Sequence, residues 1–431
     1  MIKIFHYPDN KREIIENFDK FKLNLWEIES EILPIIQDVI KNGDNAVRKY
    51  TKKFDNVDIQ NLEVTKKEIE EAYNNTSEEI KTALKLAAEN IHKFHLHQLE
   101  KQKEFAIVKQ DEFVLTQRNI PVESAGLYIP GGKAPYPSTV LMTAIPAKVA
   151  GVKNVVLITP PDKKGKVNPI VLTAAKICKV DRIFKVGGVQ GIAALAFGTQ
   201  TIPKVDVIVG PGNKYVTAAK KILFGQINID MIAGPSEIMV IADDKTNTKY
   251  IAADLLSQAE HDEIATSILI TFSEKKAKEV LAEIKKQIQN LSRKETIQKS
   301  LSNCGMIIIV NSKEDAIKLI NKKAPEHLEI MTEDNQSYIK HIKNAGAIFL
   351  GEYTPEPVGD YFAGPNHTLP TSGTARFFSP LGTYHFIKKT NIIYYSAKRL
   401  KKAGKYIEIL ADCEGFTAHK NAITVRLEDL K

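Results

Sequence analysis

NVVLITPPDKKGKVNPIVLTAAKICKVDRIFKVGG, residues 154–188, is the stretch on which the fold turns. It opens with an apolar run, NVVLITP, rich in β-branched residues and closed by proline. A buried strand of a parallel sheet reads this way, because helices cover both of its faces. Residues 171–179 then carry a helical pattern, and RIFKVGG (182–188) is a second strand running into glycines. Strand, helix and strand in this order make a βαβ unit. Upstream, SAGLYIPGG (124–132) is a strand entering a glycine turn. Downstream come a helix over 192–197, a strand in VDVIVGPG (205–212), a helix over 215–223 and a strand within DMIAGPSEIMVIAD (230–243).

The alternation then repeats. A helix over 250–260 precedes SILITF (267–272), a helix over 275–291 precedes GMIIIV (305–310), and a helix over 315–322 precedes PEHLEIM (325–331), with AGAIFLG (345–351) beyond. The N-terminal part has apolar residues three and four apart over 31–49 and 66–97, which predicts helices. The end of the chain, NAITVRL (421–427), reads as a strand. The expected architecture is α/β: two Rossmann-like parallel-sheet domains, a helical N-terminal part and a small C-terminal tail. The expected boundaries are an arm over 1–26, a main domain of 27–127 plus 238–379, a Rossmann-like domain over 128–237 and a tail over 380–431.

With 431 residues, 43% of them hydrophobic and 26% charged, the chain can bury a sizeable core and is not of a disordered class. The net charge of +8 comes from scattered lysines with no RNA or DNA motif, which reads as a solvated surface rather than a nucleic-acid site. Three cysteines, Cys178, Cys304 and Cys413, form no CxxC pair, so a reducing cytoplasm is expected. The N-terminus has no signal-peptide pattern and no segment reads as membrane-spanning.

Chemistry-bearing residues stand in unusual strings. LLSQAEHDE (255–263) carries Gln258 and His261 three apart on one helix face, with Asp254 a turn earlier. EPVGDYFAGPNHTLPT (356–371) carries Asp360 and His367, and EGFTAHKNA (414–422) carries His419. Nitrogen and oxygen donors without thiolate suit a catalytic metal site, for zinc or for manganese or cobalt. In KKAPEHLEI (322–330) an acid and a base are adjacent, Glu326-His327. Side chains next to each other on a strand point apart, so the pair reaches one cavity only at a bend, for which Pro325 provides. His92, His95 and His97 read as a solvated helix end. Glycine turns at 130–132, 187–188 and 210–212 lack the GxGxxG spacing, so they do not by themselves mark a dinucleotide site.

Taken in order, YIPGGKAPYPSTVLM, VGGVQGIAALAFGT, VGPGNKYVTAAK, IDMIAGPSE, SQAEHD, APEHLEI, VGDYFAGPNHTLPTSGTARFFSPL and EGFTAHKNAI resemble the L-histidinol dehydrogenase family. The resemblance runs from about residue 122 to residue 425. It implies oxidation of L-histidinol to L-histidine through L-histidinaldehyde, each step with NAD, at the end of histidine biosynthesis. It further implies one zinc per subunit on Gln258, His261, Asp360 and His419, with Glu326 and His327 as acid-base residues. Ser236, His367 and Glu414 would contact substrate together with His327 and the four metal ligands. Tyr128, Gln190 and Asn213 would contact NAD. A homodimer is implied, its tail reaching the partner subunit. Val189 and Gly191 stand where the family more often has alanine. The alternatives are a zinc hydrolase using water activated by Glu326 and an aldehyde dehydrogenase with Cys413 as nucleophile.

Overall fold

A computed structural model describes residues 2–20, 25–131 and 134–430. The chain opens with β1 (Lys3–His6), α1 (Lys11–Asp19), α2 (Leu25–Asn42), α3 (Asp44–Asp55), α4 (Lys66–Asn75) and α5 (Glu78–Lys101). The hairpin of β2 (Phe105–Lys109) and β3 (Phe113–Pro121) follows. The first alternation is β4 (Ser124–Tyr128), α6 (Pro137–Ala150), β5 (Asn154–Thr159), α7 (Pro169–Ile177), β6 (Arg182–Lys185), α8 (Gly188–Phe197), β7 (Val207–Val209), α9 (Lys214–Leu223) and β8 (Asn228–Ile229). The second is β9 (Glu237–Ala242), α10 (Thr248–Ala259), β10 (Thr266–Thr271), α11 (Glu274–Gln287), α12 (Lys294–Asn303), β11 (Met306–Ile309), α13 (Lys313–Lys323), β12 (His327–Ile330), α14 (Gln336–Ile339), β13 (Ala347–Leu350) and α15 (Glu356–Tyr361). The last elements are β14 (Ile387–Tyr395), α16 (Ala397–Cys413) and α17 (Thr417–Glu428).

The quoted stretch forms β5, α7 and β6, and the architecture is the expected α/β one with two parallel sheets. The five-stranded sheet has the order β6-β5-β4-β7-β8 and the six-stranded sheet the order β1-β11-β10-β9-β12-β13. Apart from β1, which adds at an edge, each starts at a central strand, builds outward on one side and then crosses to the other. That leaves a switch point beside β4 in one sheet and beside β9 in the other. Side-chain alternation divides each core in two. Val156, Ile158, Phe184 and Ile208 face one cluster of the five-stranded sheet, and Val155, Leu157, Ile183 and Val207 face the other. Ile238, Val240 and Leu269 face α10 to α12, while Met239, Ile241 and Ile270 meet α1 and α13. Gly191 is shaped to its place: a Cβ there would stand 2.9 Å from Ile158 Cδ1. Alanine at this position would crowd the sheet, which offsets the helix-propensity cost of glycine.

Four sequence expectations change. The helical segment 27–127 was grouped with 238–379. In the structure Ile32, Ile36 and Val47 of α2 and α3 pack with Ile192 and Leu195 of α8 on the five-stranded sheet. Ala87 and Ile91 of α5 join the core on its other face. Helical periodicity shows that a face is buried but not which sheet buries it. Residues 1–26 are more than an arm, because β1 pairs in parallel with β11 and Ile14 and Phe18 of α1 are core residues. NAITVRL lies in a helix, not a strand. Gly415, at φ 74°, turns the chain back, and Leu427 then closes on Gly404 of α16, where a Cβ would stand 2.7 Å from Leu427 Cδ1. This packing overrides the β propensity of the segment. His95 is fully buried rather than solvated, with Nδ1 2.8 Å from the Ile91 carbonyl.

β14 pairs antiparallel with β3 along nine residues, in a mostly exposed three-stranded sheet. Among the described residues no helix is long and apolar enough to cross a membrane.

Candidate active site

The site is built at the amino ends of β9 and β12, neighbouring strands of the six-stranded sheet. α13 stops at Ala324, whose φ of 52° is left-handed, and Pro325 leads into β12. That bend turns two adjacent side chains into one cavity. Glu326 Oε2 accepts from the Glu237 N–H at 2.8 Å and lies 3.7 Å from His327 Nδ1. Gly346 permits this close approach, since a Cβ there would stand 2.6 Å from the Glu326 carbonyl oxygen. His327 Nδ1 is 3.0 Å from the Glu237 carbonyl oxygen and 3.1 Å from Gln258 Oε1. Two acceptors flank this nitrogen, so it carries the proton and donates. In the neutral ring Nε2 then holds the lone pair. It has no hydrogen-bond partner among the described residues and sits 3.6 Å from Asp360 Oδ1.

α15 brings up two carboxylates one turn apart, Glu356 and Asp360. With His327 they offer ligand atoms that all lie within 4.8 Å of one another. His261, just beyond α10, has Nε2 3.9 Å from Glu356 Oε1. Gln258 is fully buried, and its Nε2 lacks a partner among the described residues. The Glu356 N–H donates to Glu329 Oε1 at 2.7 Å, and Ser257 Oγ donates to Glu356 Oε2 at 3.3 Å. His367 Nδ1 donates to the Asp360 carbonyl at 2.9 Å, and its Nε2 is 3.4 Å from Thr139 Oγ1 of α6. The site therefore lies where the two sheet layers meet.

The electrostatics follow from burial and crowding. Burial raises the Glu326 carboxyl to about 8 and Glu356 to about 7. Burial opposes the charged His327 ring, but the surrounding Glu326, Glu356 and Asp360 outweigh it and hold its pKa well above the ordinary histidine value. Burial works against ionised Asp360 too, yet the nearby rings of His327 and His367 bring its pKa below normal. His261 and His367 are both lowered, chiefly by burial. An excess of carboxylate, unpartnered nitrogen and no thiol is a donor set that fits a divalent cation such as zinc.

Of the residues singled out in the sequence, Gln258, His261, Glu326, His327, Asp360 and His367 come together here. Ser236 immediately precedes Glu237, and its carbonyl accepts from Thr266. His419 and Glu414 do not join them within the chain: both are exposed on the α16–α17 tail, His419 with its ring against Phe416. Cys413 is likewise exposed on that tail, away from Glu326 and His327. Glu356 was missed. The signal was its spacing of four from Asp360, which a helix turns into one face.

Tyr128, Gln190 and Asn213 gather elsewhere, around a cavity of about 670 Å³ at the carboxyl ends of β4 to β7. Tyr128 accepts from the Gly188 N–H at 3.3 Å, and Asn213 caps α9. Gln190 is buried, and neither atom of its amide has a partner among the described residues.

Two parallel sheets of this strand order, one with a cavity at its switch point and the other with a carboxylate–imidazole centre, define a two-sheet α/β protein with an enzyme-like centre. The histidinol dehydrogenase family model matches residues 19–427. A histidinol dehydrogenase of Clostridium acetobutylicum is 53% identical over 402 residues, covering 93% of each chain. One of Lactococcus lactis is 47% identical over the full length of both. The crystal structure of histidinol dehydrogenase from Elizabethkingia anophelis superposes with a TM-score of 0.92 at 40% identity, covering 100% of this chain and 98% of that one. The chain belongs to the histidinol dehydrogenase family. These relatives give the zinc hydrolase alternative no support.

Proposed function

We propose that the protein oxidises L-histidinol to L-histidine through L-histidinaldehyde, with zinc and NAD, as the last step of histidine biosynthesis. The observation that carries this reading is the His327 ring, with Nδ1 held by Glu237 O and Nε2 without a hydrogen-bond partner among the described residues, beside Glu326 and the Asp360–Glu356 carboxylates. Gln258, His261 and Asp360 would hold the metal together with His419. When bound, zinc supplies a fixed positive charge that orients the imidazole and amine of the substrate and balances the carboxylates. When bound, NAD supplies the hydride acceptor, with Tyr128, Gln190 and Asn213 as its contacts.

In its neutral form His327 takes the hydroxyl proton at Nε2, and its Nδ1 bond to Glu237 O keeps that nitrogen aimed. Glu326, close to neutrality in pKa, removes a proton from the water that hydrates the aldehyde. His367 and Ser236 frame the substrate at the layer junction. Holding the aldehyde between steps keeps it from bulk water.

The tail supports a homodimer. α17 buries no residue, and Tyr406, Leu410 and Phe416 are exposed. In this reading α16–α17 delivers His419 and Glu414 to the other subunit's site. The test mixes two inactive variants, His327→Asn and His419→Asn, under subunit exchange. Each mixed dimer then has one intact site, and NADH formation from histidinol returns. No recovery, with dimers formed, rejects the shared site.

A further inference from the structure

The cavity at the switch point has two unlike walls. One is formed by the beginnings of α8 and α9, with Gly188, Gln190, Asn213 and Tyr215. Helix N-termini favour anions, so this wall suits the phosphates of a nucleotide. The other wall comes from α2 and α3: Glu31, Ile32, Ile35, Tyr50, Phe54 and Asp55, of whose two acids Glu31 is exposed to solvent and Asp55 is not. Asp55 is the odd member. It is the last residue of α3, where the helix dipole disfavours an acid. It is half-buried, Oδ2 is shielded from water, and that oxygen has no hydrogen-bond partner among the described residues. Lys53, also on this wall, directs its ammonium over the Phe54 ring, 5.3 Å from the centroid.

In dinucleotide folds of this strand order an acid near the end of the second strand receives the ribose hydroxyls. Here the second strand is β5, and it runs into Pro160 and Pro161. The next acid, Asp162, is occupied by its own turn, where Oδ1 accepts from the Lys164 and Lys166 amides at 2.8 and 2.9 Å. Asp162 does not line the cavity, and the half-buried carboxylate of Asp55 stands on the opposite wall instead. A carboxylate only accepts hydrogen bonds. Phosphates offer it nothing, whereas a vicinal diol matches its two oxygens.

We propose that Asp55 receives the ribose hydroxyls of the bound nucleotide and, by its charge, excludes a 2′-phosphate, so that it selects NAD over NADP. This rests on reading the cavity as the nucleotide site. Burial, which raises Asp55 to about 6, adds a pH signature: binding of NAD weakens as pH falls below that value.

The test is calorimetric titration of the full chain with NAD, NADP and ADP-ribose in the absence of histidinol. In Asp55→Asn, the dissociation constants for NAD and ADP-ribose rise about tenfold or more, as expected for losing a charged acceptor, while NADP binds no more weakly than before. NAD affinity within twofold of the parent, or NADP weakened in step with NAD, overturns the proposal. Should Asp55→Asn not fold, Asp55→Glu answers the same question: rejection of NADP is kept, and its loss counts against the role. A parent protein that binds neither nucleotide removes the nucleotide reading of the cavity itself, which is a distinct result from an insensitive Asp55.

Discussion

Replacing Glu326 by glutamine removes a buried acid with almost no change of shape. Burial lifts this carboxyl from 4.5 to about 8. At pH 7 the folded protein therefore holds a proton that the unfolded chain releases, and stability falls as pH climbs from about 4.5 through 8. Each pKa unit corresponds to about 1.4 kcal/mol, so at pH 7 the native state is disfavoured by on the order of 3 kcal/mol at this one group. Glutamine has no such penalty and can still accept from the Glu237 N–H. Chelator-treated Glu326→Gln should then melt higher than the parent at pH 7 and above, with the difference shrinking to nothing near pH 4.5. A pH series of thermal melts measures it. A gap that is the same at every pH, or a variant less stable at pH 7, would refute the electrostatic argument. Single-turnover assays address the chemistry in the same variant. Oxidation of the aldehyde should fall by about a hundredfold, and loss of the first hydride by much less. Equal loss of both half-reactions would reject the division of labour between Glu326 and His327.

His327→Asn should depress both steps by at least about a hundredfold, since the Nε2 base serves each; a variant that spares the first step would assign its proton to another group. Chelation should abolish turnover and added zinc should restore it, whereas full activity in demonstrably metal-free protein would remove the cation from the scheme. Gly346→Ala pushes a methyl to 2.6 Å from the Glu326 carbonyl oxygen, so a destabilisation of about 1–3 kcal/mol with a larger loss of activity is expected from denaturation and rate measurements.

The relation between spelling and structure differs from element to element. The strand runs of the two alternations, NVVLITP and GMIIIV among them, were legible because a strand covered on both faces has to be continuously apolar. Glu326-His327 and Gln258 with His261 were legible as local strings. Asp55 was not, because it is an ordinary acid until the fold removes its solvent, and Glu356 offered only its spacing of four from Asp360.

What the sequence determined by itself was the kind and order of the elements and the residue types available for chemistry. These follow from periodicity and composition within some ten residues. Tertiary structure alone decided that α2 to α5 lie on the five-stranded sheet, that NAITVRL coils against α16, and that Glu356 stands within reach of Asp360 and His327. Those outcomes depend on which apolar faces meet across long stretches of chain, and the free energy of such burial is not written at any single position.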